Sequence, residues 1–186
     1  MPTIRPYQPR DKENVRNVCM MTGPAADDPY GPARLFELTN YCDYYVECEP
    51  ECCFVVANDS DEAVGYIFGC ADYGRYRERF LRDYAPKLKE LPLFKRAMCQ
   101  ASVRTPKLFA KKHPAHLHIN ILEPYQRIGM GSRLMEALTA KLREGGVPGV
   151  CLGMGSHNVK AGNFYRKCGF KKLLHLPGVM YLGLEL

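Results

Sequence analysis

The residues of this sequence whose types and spacing suit chemistry fall into separate groups. The first is Gln126-Arg127-Ile128-Gly129-Met130-Gly131, with two glycines at the start of a helical pattern. Glycine lets a backbone approach a ligand closely, and the unpaired N–H groups at a helix start, with the helix dipole, hold phosphate oxygens. It is not a Walker loop, because no Gly-Lys-Ser/Thr follows, and it lacks the properly spaced third glycine of the dinucleotide fingerprint. Alone, it also reads as a tight connection. The second group is His116 and His118, which share one face of a strand-like alternation with Asn120. Histidine titrates near neutrality, so the pair reads either as acid–base groups or as strand histidines with structural hydrogen bonds. The third is the run Asn158 to Phe170, which contains Phe164-Tyr165 and closes on Gly169-Phe170. Tyr165 reads as a positioned proton donor or as a half-buried aromatic with a satisfied hydroxyl.

The elements that must hold these groups follow from periodicity. Ile4 to Tyr7 reads as a strand, and Asp11 as the N-cap of a helix carrying Val15, Val18 and Cys19. Residues 22–32, with Gly23, Pro24, Asp27, Asp28, Pro29, Gly31 and Pro32, read as a loop. A helix over 33–47 places Leu35, Leu38, Cys42 and Tyr45 on one face. Residues 53–57 and 63–69 form an antiparallel hairpin around Asn58-Asp59-Ser60-Asp61. Residues 74–114 are basic and helical, broken by Pro86, Pro92, Pro106 and Pro114, and too long for an ordinary connection. Strands follow at 116–122 and 150–154, with a helix over 130–144 between them that carries Leu134, Leu138 and Leu142. A helix over 158–168 and two strands, 170–176 and 179–186, complete the chain.

At 186 residues and 46% hydrophobic content, the chain suits one globular domain, 1–186, with the 74–114 segment as an insertion. No long uncharged apolar run and no secretory h-region appear, so a cytoplasmic protein away from membranes is expected. The 9 cysteines are odd in number and read as reduced thiols. Cys48, Cys52 and Cys53 lack a Cys-x-x-Cys pair and a nearby histidine, so no metal is expected. Residues 1–73 carry 5 Lys/Arg against 13 Asp/Glu, while residues 74–114 carry 12 against 3 and residues 115–186 carry 9 against 4. That asymmetry suits a cationic ligand on one side and an anionic one on the other, or an ordinary solvated surface. The aromatics of 74–114 follow no RNA-binding pattern, so nucleic acid is not an expected partner.

The 126–131 and 158–170 runs, in this order and at this distance, resemble the two motifs of the GNAT acetyltransferase superfamily. The first is similar to Gln/Arg-x-x-Gly-x-Gly/Ala and the second to Asn-x-x-Ala-x-x-Phe-Tyr-x-x-x-Gly-Phe. The opening Ile4-Arg5-Pro6 with Asp11 and the 53–69 hairpin also fit, so the resemblance covers roughly 3–73 and 115–186. It implies an α+β three-layer fold with a central, mostly antiparallel mixed sheet of about seven strands. That sheet would be splayed between strands 116–122 and 150–154, with helices on both faces. The resemblance further implies that acetyl-CoA is the co-substrate of an N-acetyltransferase acting on a primary amine by direct attack in a ternary complex. Its pyrophosphate would lie on the amides around Arg127, Ile128, Gly129, Met130, Gly131 and Ser132, within a coenzyme site that also takes in Leu122, Gln126, Asn158, Phe164 and Tyr165. Leu122 and Pro124 would sit at a bulge opening the slot, and Tyr165 would protonate the departing thiolate.

Ala115-His116-Leu117-His118 is similar to a two-histidine segment of serotonin N-acetyltransferases, where such histidines serve as base, although its distance to the glycine motif differs by one residue. A weaker resemblance, over Tyr41 to Glu51, is to the acetyltransferase-like region of O-GlcNAcases and its bacterial relatives. It keeps open an inactive domain that binds coenzyme A or a partner. Tyr41, Tyr44 and Tyr45 would line an acceptor cleft or pack inward as an amphipathic helix. The acidic first part favours a cationic amine. The 74–114 segment is open to being a lid or a homodimer contact.

Overall fold

The structure is a computed structural model that describes residues 1–23, 26, 30–31 and 33–186. Of the expected 22–32 loop, Pro24, Asp27, Asp28, Pro29 and Pro32 lie outside the described residues. Seven strands form one sheet in the order β1-β2-β3-β4-β5-β7-β6. They are β1 (Thr3–Pro6), β2 (Cys53–Ala57), β3 (Ala63–Cys70), β4 (Ala115–Ile121), β5 (Gly149–Gly155), β6 (Lys171–Leu176) and β7 (Val179–Glu185). Every neighbouring pair is antiparallel except β4 and β5, which run parallel.

The parallel pair is the feature that matters for function. β4 and β5 are in register only at Ala115–Val150 and His116–Cys151. Beyond those two positions β4 stays with β3, pairing from Cys70–His116 to Gly65–Ile121 without a register shift. β5 stays with β7 from Gly149–Glu185 to Gly155–Val179. The sheet therefore splits into two wings. The expected bulge at Leu122 and Pro124 is not what opens it: the register shifts lie in β2 against β3 and in β6 against β7. β4 ends at Ile121, and Glu123–Tyr125 form a 3-10 turn with proline at its start, where the missing N–H costs nothing.

Helices cover both faces. One face holds α1 (Lys12–Thr22) and a continuous helical run made of α2 (Arg34–Leu38), a π turn (Thr39–Asp43) and α3 (Tyr44–Cys48). The segment between β3 and β4 contributes α4 (Tyr73–Arg79), a π turn at Phe80–Tyr84 and α5 (Leu93–Arg104) to the same side. The other face holds α6 (Met130–Glu144) and α7 (Val159–Lys167). Val15, Val18 and Cys19 of α1 are buried as their spacing predicts, and so are Leu134, Leu138 and Leu142 of α6.

Polar ties join these layers. Asp11 precedes α1, but its carboxylate accepts both terminal nitrogens of Arg5 at 2.7 and 2.8 Å and the Gln8 N–H, fixing β1 to α1. Glu49, wholly buried at the end of α3, is held by Arg75 of α4 through Nη2 at 2.7 Å and Nε at 3.1 Å, which anchors the start of the 74–114 segment. All nine cysteines are unpaired, and seven of them are buried. Among the described residues no group of His, Cys, Asp and Glu could hold a metal ion, and no helix is long and apolar enough to cross a membrane.

Candidate active site

The loop between β4 and α6 is built to present N–H groups. Gly129, the residue before α6, takes φ +87°, and Arg127 takes φ +61°. Left-handed residues in such a turn swing successive amides to one side and make an anion-binding concavity. The first donor of this region held internally is Arg133 N–H, on Gly129 C=O. Among the described residues no acceptor takes the N–H groups of residues 127–132, which include the free first turn of α6. Arg127 within this loop and Arg133 just after it make no ion pair among the described residues, which leaves their charge to attract an anion.

The two motifs of the sequence meet in space. A Cβ added to Gly131 would lie 3.1 and 3.3 Å from the Phe164 ring, so the glycine lets α7 pack its aromatic face against the first turn of α6. Two other expected ligands turn out to be committed to the protein. The Gln126 amide donates to Ile121 C=O at 2.7 Å, tying the loop to the end of β4. Asn158 Oδ1 caps α7 by accepting Ala161 N–H at 3.0 Å, so only its amide donor is left for the coenzyme contact expected of it. Leu122 packs against the cores of both faces just past the end of β4.

Tyr165 has its ring buried between Phe164 and Phe170, with centroids at 5.3 and 5.7 Å. Its hydroxyl makes no hydrogen bond among the described residues and is not enclosed. Burial raises its pKa, so it stays protonated near neutral pH. The histidines lie elsewhere. Leu117 and Ile121 face the α6–α7 side of β4, whereas His116, His118 and Asn120 face the helical run 34–48. Tyr165 and the histidine pair thus belong to opposite faces of the sheet.

On the histidine face the contacts are dense. The Tyr45 hydroxyl lies 2.8 Å from His116 Nε2 and 3.0 Å from His118 Nε2. Tyr41 packs edge-on against His118 at 5.2 Å, and Tyr76 against His116 at 4.3 Å. Asn120 donates to the Tyr66 hydroxyl at 2.8 Å. Burial lowers His116 to about 3, with His118 as a minor contributor, and lowers His118 to about 4. Both imidazoles are therefore neutral at physiological pH.

Tyr76 is the residue here that motif reading missed, because it lies in the segment outside the family pattern. Tyr41 and Tyr45 were legible as an aromatic stripe four residues apart, but not as partners of histidines two residues apart on a strand. Leu35, expected on the inner face, is 44% exposed. The π turn at Thr39–Asp43 adds a residue to one turn and rotates the preceding helix by about 100° relative to a regular one.

A family description, the acetyltransferase (GNAT) family, matches residues 19–170. Among solved structures, SsHAT is similar over 99% of this chain and 98% of its own, with 31% identity and a TM-score of 0.87. PH1933 from Pyrococcus horikoshii OT3 shares the fold at a TM-score of 0.66 and 18% identity, over 100% of this chain and 99% of its own. Ard1 from Thermoplasma volcanium does so at 0.62 and 21%, over 100% and 97%. With the split sheet, the amide-lined loop and this match over most of its length, the chain belongs to the GNAT family of acetyltransferases.

Proposed function

We propose that this chain transfers the acetyl group of acetyl-CoA to a primary amine by direct attack within a ternary complex. The observation that carries the reading is the row of unclaimed N–H groups at residues 127–132, set beside the opening of β4 from β5. These residues fit the pyrophosphate: preorganised amide donors at a helix start hold anionic oxygens with charge-assisted bonds. The Gln126 side chain shapes that loop rather than touching the ligand, and the missing side chain of Gly131 lets Phe164 pack against it. Acetyl-CoA, when bound, supplies the activated thioester.

The protein's own groups then handle protons. As the amine nitrogen bonds to the carbonyl carbon and the carbon–sulfur bond breaks, Tyr165 gives its hydroxyl proton to the departing sulfur. His118 accepts the proton that the nitrogen loses. Exchange with solvent returns both groups to their starting states, so the products are the amide and the free thiol. A lysine-like amine with a pKa of about 10.4 must spend about 4.6 kcal/mol to reach its neutral form at pH 7. Holding amine and thioester together supplies roughly 7–11 kcal/mol, so positioning dominates and the base assists. Keeping the histidine pair neutral avoids repelling a cationic acceptor, the class favoured by the acidic first 73 residues.

The depressed basicity of both histidines favours a second reading, a domain that binds coenzyme A without turnover. Thiol release from acetyl-CoA across a panel of primary amines separates the two. Turnover that falls roughly a hundredfold in Tyr165→Phe supports the enzyme. Tight coenzyme binding without turnover on any amine would support the second reading.

A further inference from the structure

Tyr45 constrains the two histidines more tightly than a pair of independent hydrogen bonds would. Its side chain is fully buried, stacked on Phe68 and Tyr76 at 6.1 Å each, and its hydroxyl contacts Nε2 of both imidazoles. A hydroxyl has one proton and two lone pairs, so it donates to no more than one of the two imidazoles and can accept from the other, with Tyr76 as a further neighbour. A neutral imidazole carries one N–H. If Tyr45 donates to one Nε2, that ring holds its proton on Nδ1. The other ring then holds its proton on Nε2 and donates to the hydroxyl oxygen. In that arrangement the two histidines hold opposite tautomers.

The surroundings assign the direction once His118 is taken as base. His116 Nδ1 is enclosed without a polar partner, whereas His118 Nδ1 is not enclosed and makes no hydrogen bond among the described residues. An incoming amine therefore meets His118 at Nδ1, and that atom must be bare to accept a proton. We propose that Tyr45 is a positioning residue: it accepts the His118 Nε2–H, donates its own proton to His116 Nε2, and so holds the lone pair of His118 at Nδ1. The proton of His116 then rests on Nδ1, with the Tyr76 ring as its electron-rich neighbour. When His118 takes a proton from the amine, its Nε2–H is already bonded. The onward bond to His116 polarises the chain and stabilises the imidazolium.

This proposal rests on the reading of His118 as base, and the test keeps the two apart. Long-range nitrogen-15 NMR of the histidine-labelled full chain at pH 7 reads each tautomer directly, with signals assigned through His116→Gln and His118→Gln. The expected result is Nε2–H on His118 and Nδ1–H on His116. Tyr45→Phe keeps the ring stack and should replace that fixed pattern with averaged tautomers. It should also lower kcat by about tenfold or more while the KM for acetyl-CoA stays within about twofold. Two histidines sharing one tautomer, or Nδ1–H on His118, would overturn the proposal without recourse to any variant. Tyr45→Phe with unchanged spectra and unchanged kcat would overturn it as well. Opposite tautomers in a protein that acetylates no amine would uphold the lock and sink only the catalytic reading.

Discussion

At Gly129 the chain takes φ +87°, and a Cβ built there meets nothing within 4 Å. The requirement for glycine is therefore conformational rather than steric, because an L residue pays roughly 1–2 kcal/mol for left-handed backbone. Gly129→Ala should lower stability by about 1 kcal/mol, measured by urea denaturation, and weaken coenzyme A binding as the amides reorient. Unchanged stability and affinity would show that the loop does not need this geometry. Arg127 already bears such strain at φ +61° in the same turn, which is where ligand clamps store it. The glycine pattern made this loop legible in the sequence. What spacing could not reveal was that Gln126 and Asn158 spend their side chains on Ile121 C=O and Ala161 N–H.

The interface between β4 and the helical run 34–48 is the least soluble problem the fold sets itself, because it encloses two imidazoles. In the unfolded chain a histidine takes up a proton near pH 6.5, whereas His116 does so at about 3 and His118 at about 4 once folded. Between those values the unfolded state binds more protons. The stability these groups permit is complete above about pH 6.5 and is lost as pH falls toward 4 and then 3. Urea midpoints at pH 7, 5.5 and 4.5 should fall accordingly, with His116 alone steepening the slope by up to about 1.4 kcal/mol per pH unit. His116→Gln should flatten that slope, and parallel slopes for the two proteins would contradict the assignment. The strands were readable to within a residue or two, because β4 alternates in sequence and β5 carries a short apolar run. The inner face of 34–48 was not, because no sequence pattern announced the π turn that turns Leu35 outward.

Across the whole molecule, the split between β4 and β5 organises everything else. Tyr165 and the amide loop belong to the α6–α7 side, the histidines and their tyrosines to the side of α1 and 34–48, and Leu122 joins the two cores. The motifs and the strand alternation pointed to both groups, yet only the register of β4, two pairs with β5 and six with β3, shows where the sheet opens. The 74–114 segment lay outside the family pattern, but Glu49–Arg75 and Tyr76 tie it to the histidine wall. We propose that the loop at 127–132 holds the phosphates of coenzyme A. Calorimetric titration with coenzyme A and with pantetheine, which lacks those phosphates, checks this. One coenzyme A per chain is expected, with pantetheine binding at least about a hundredfold weaker, a loss of roughly 2.7 kcal/mol. Equal affinities for the two, or no coenzyme A binding at all, would contradict it.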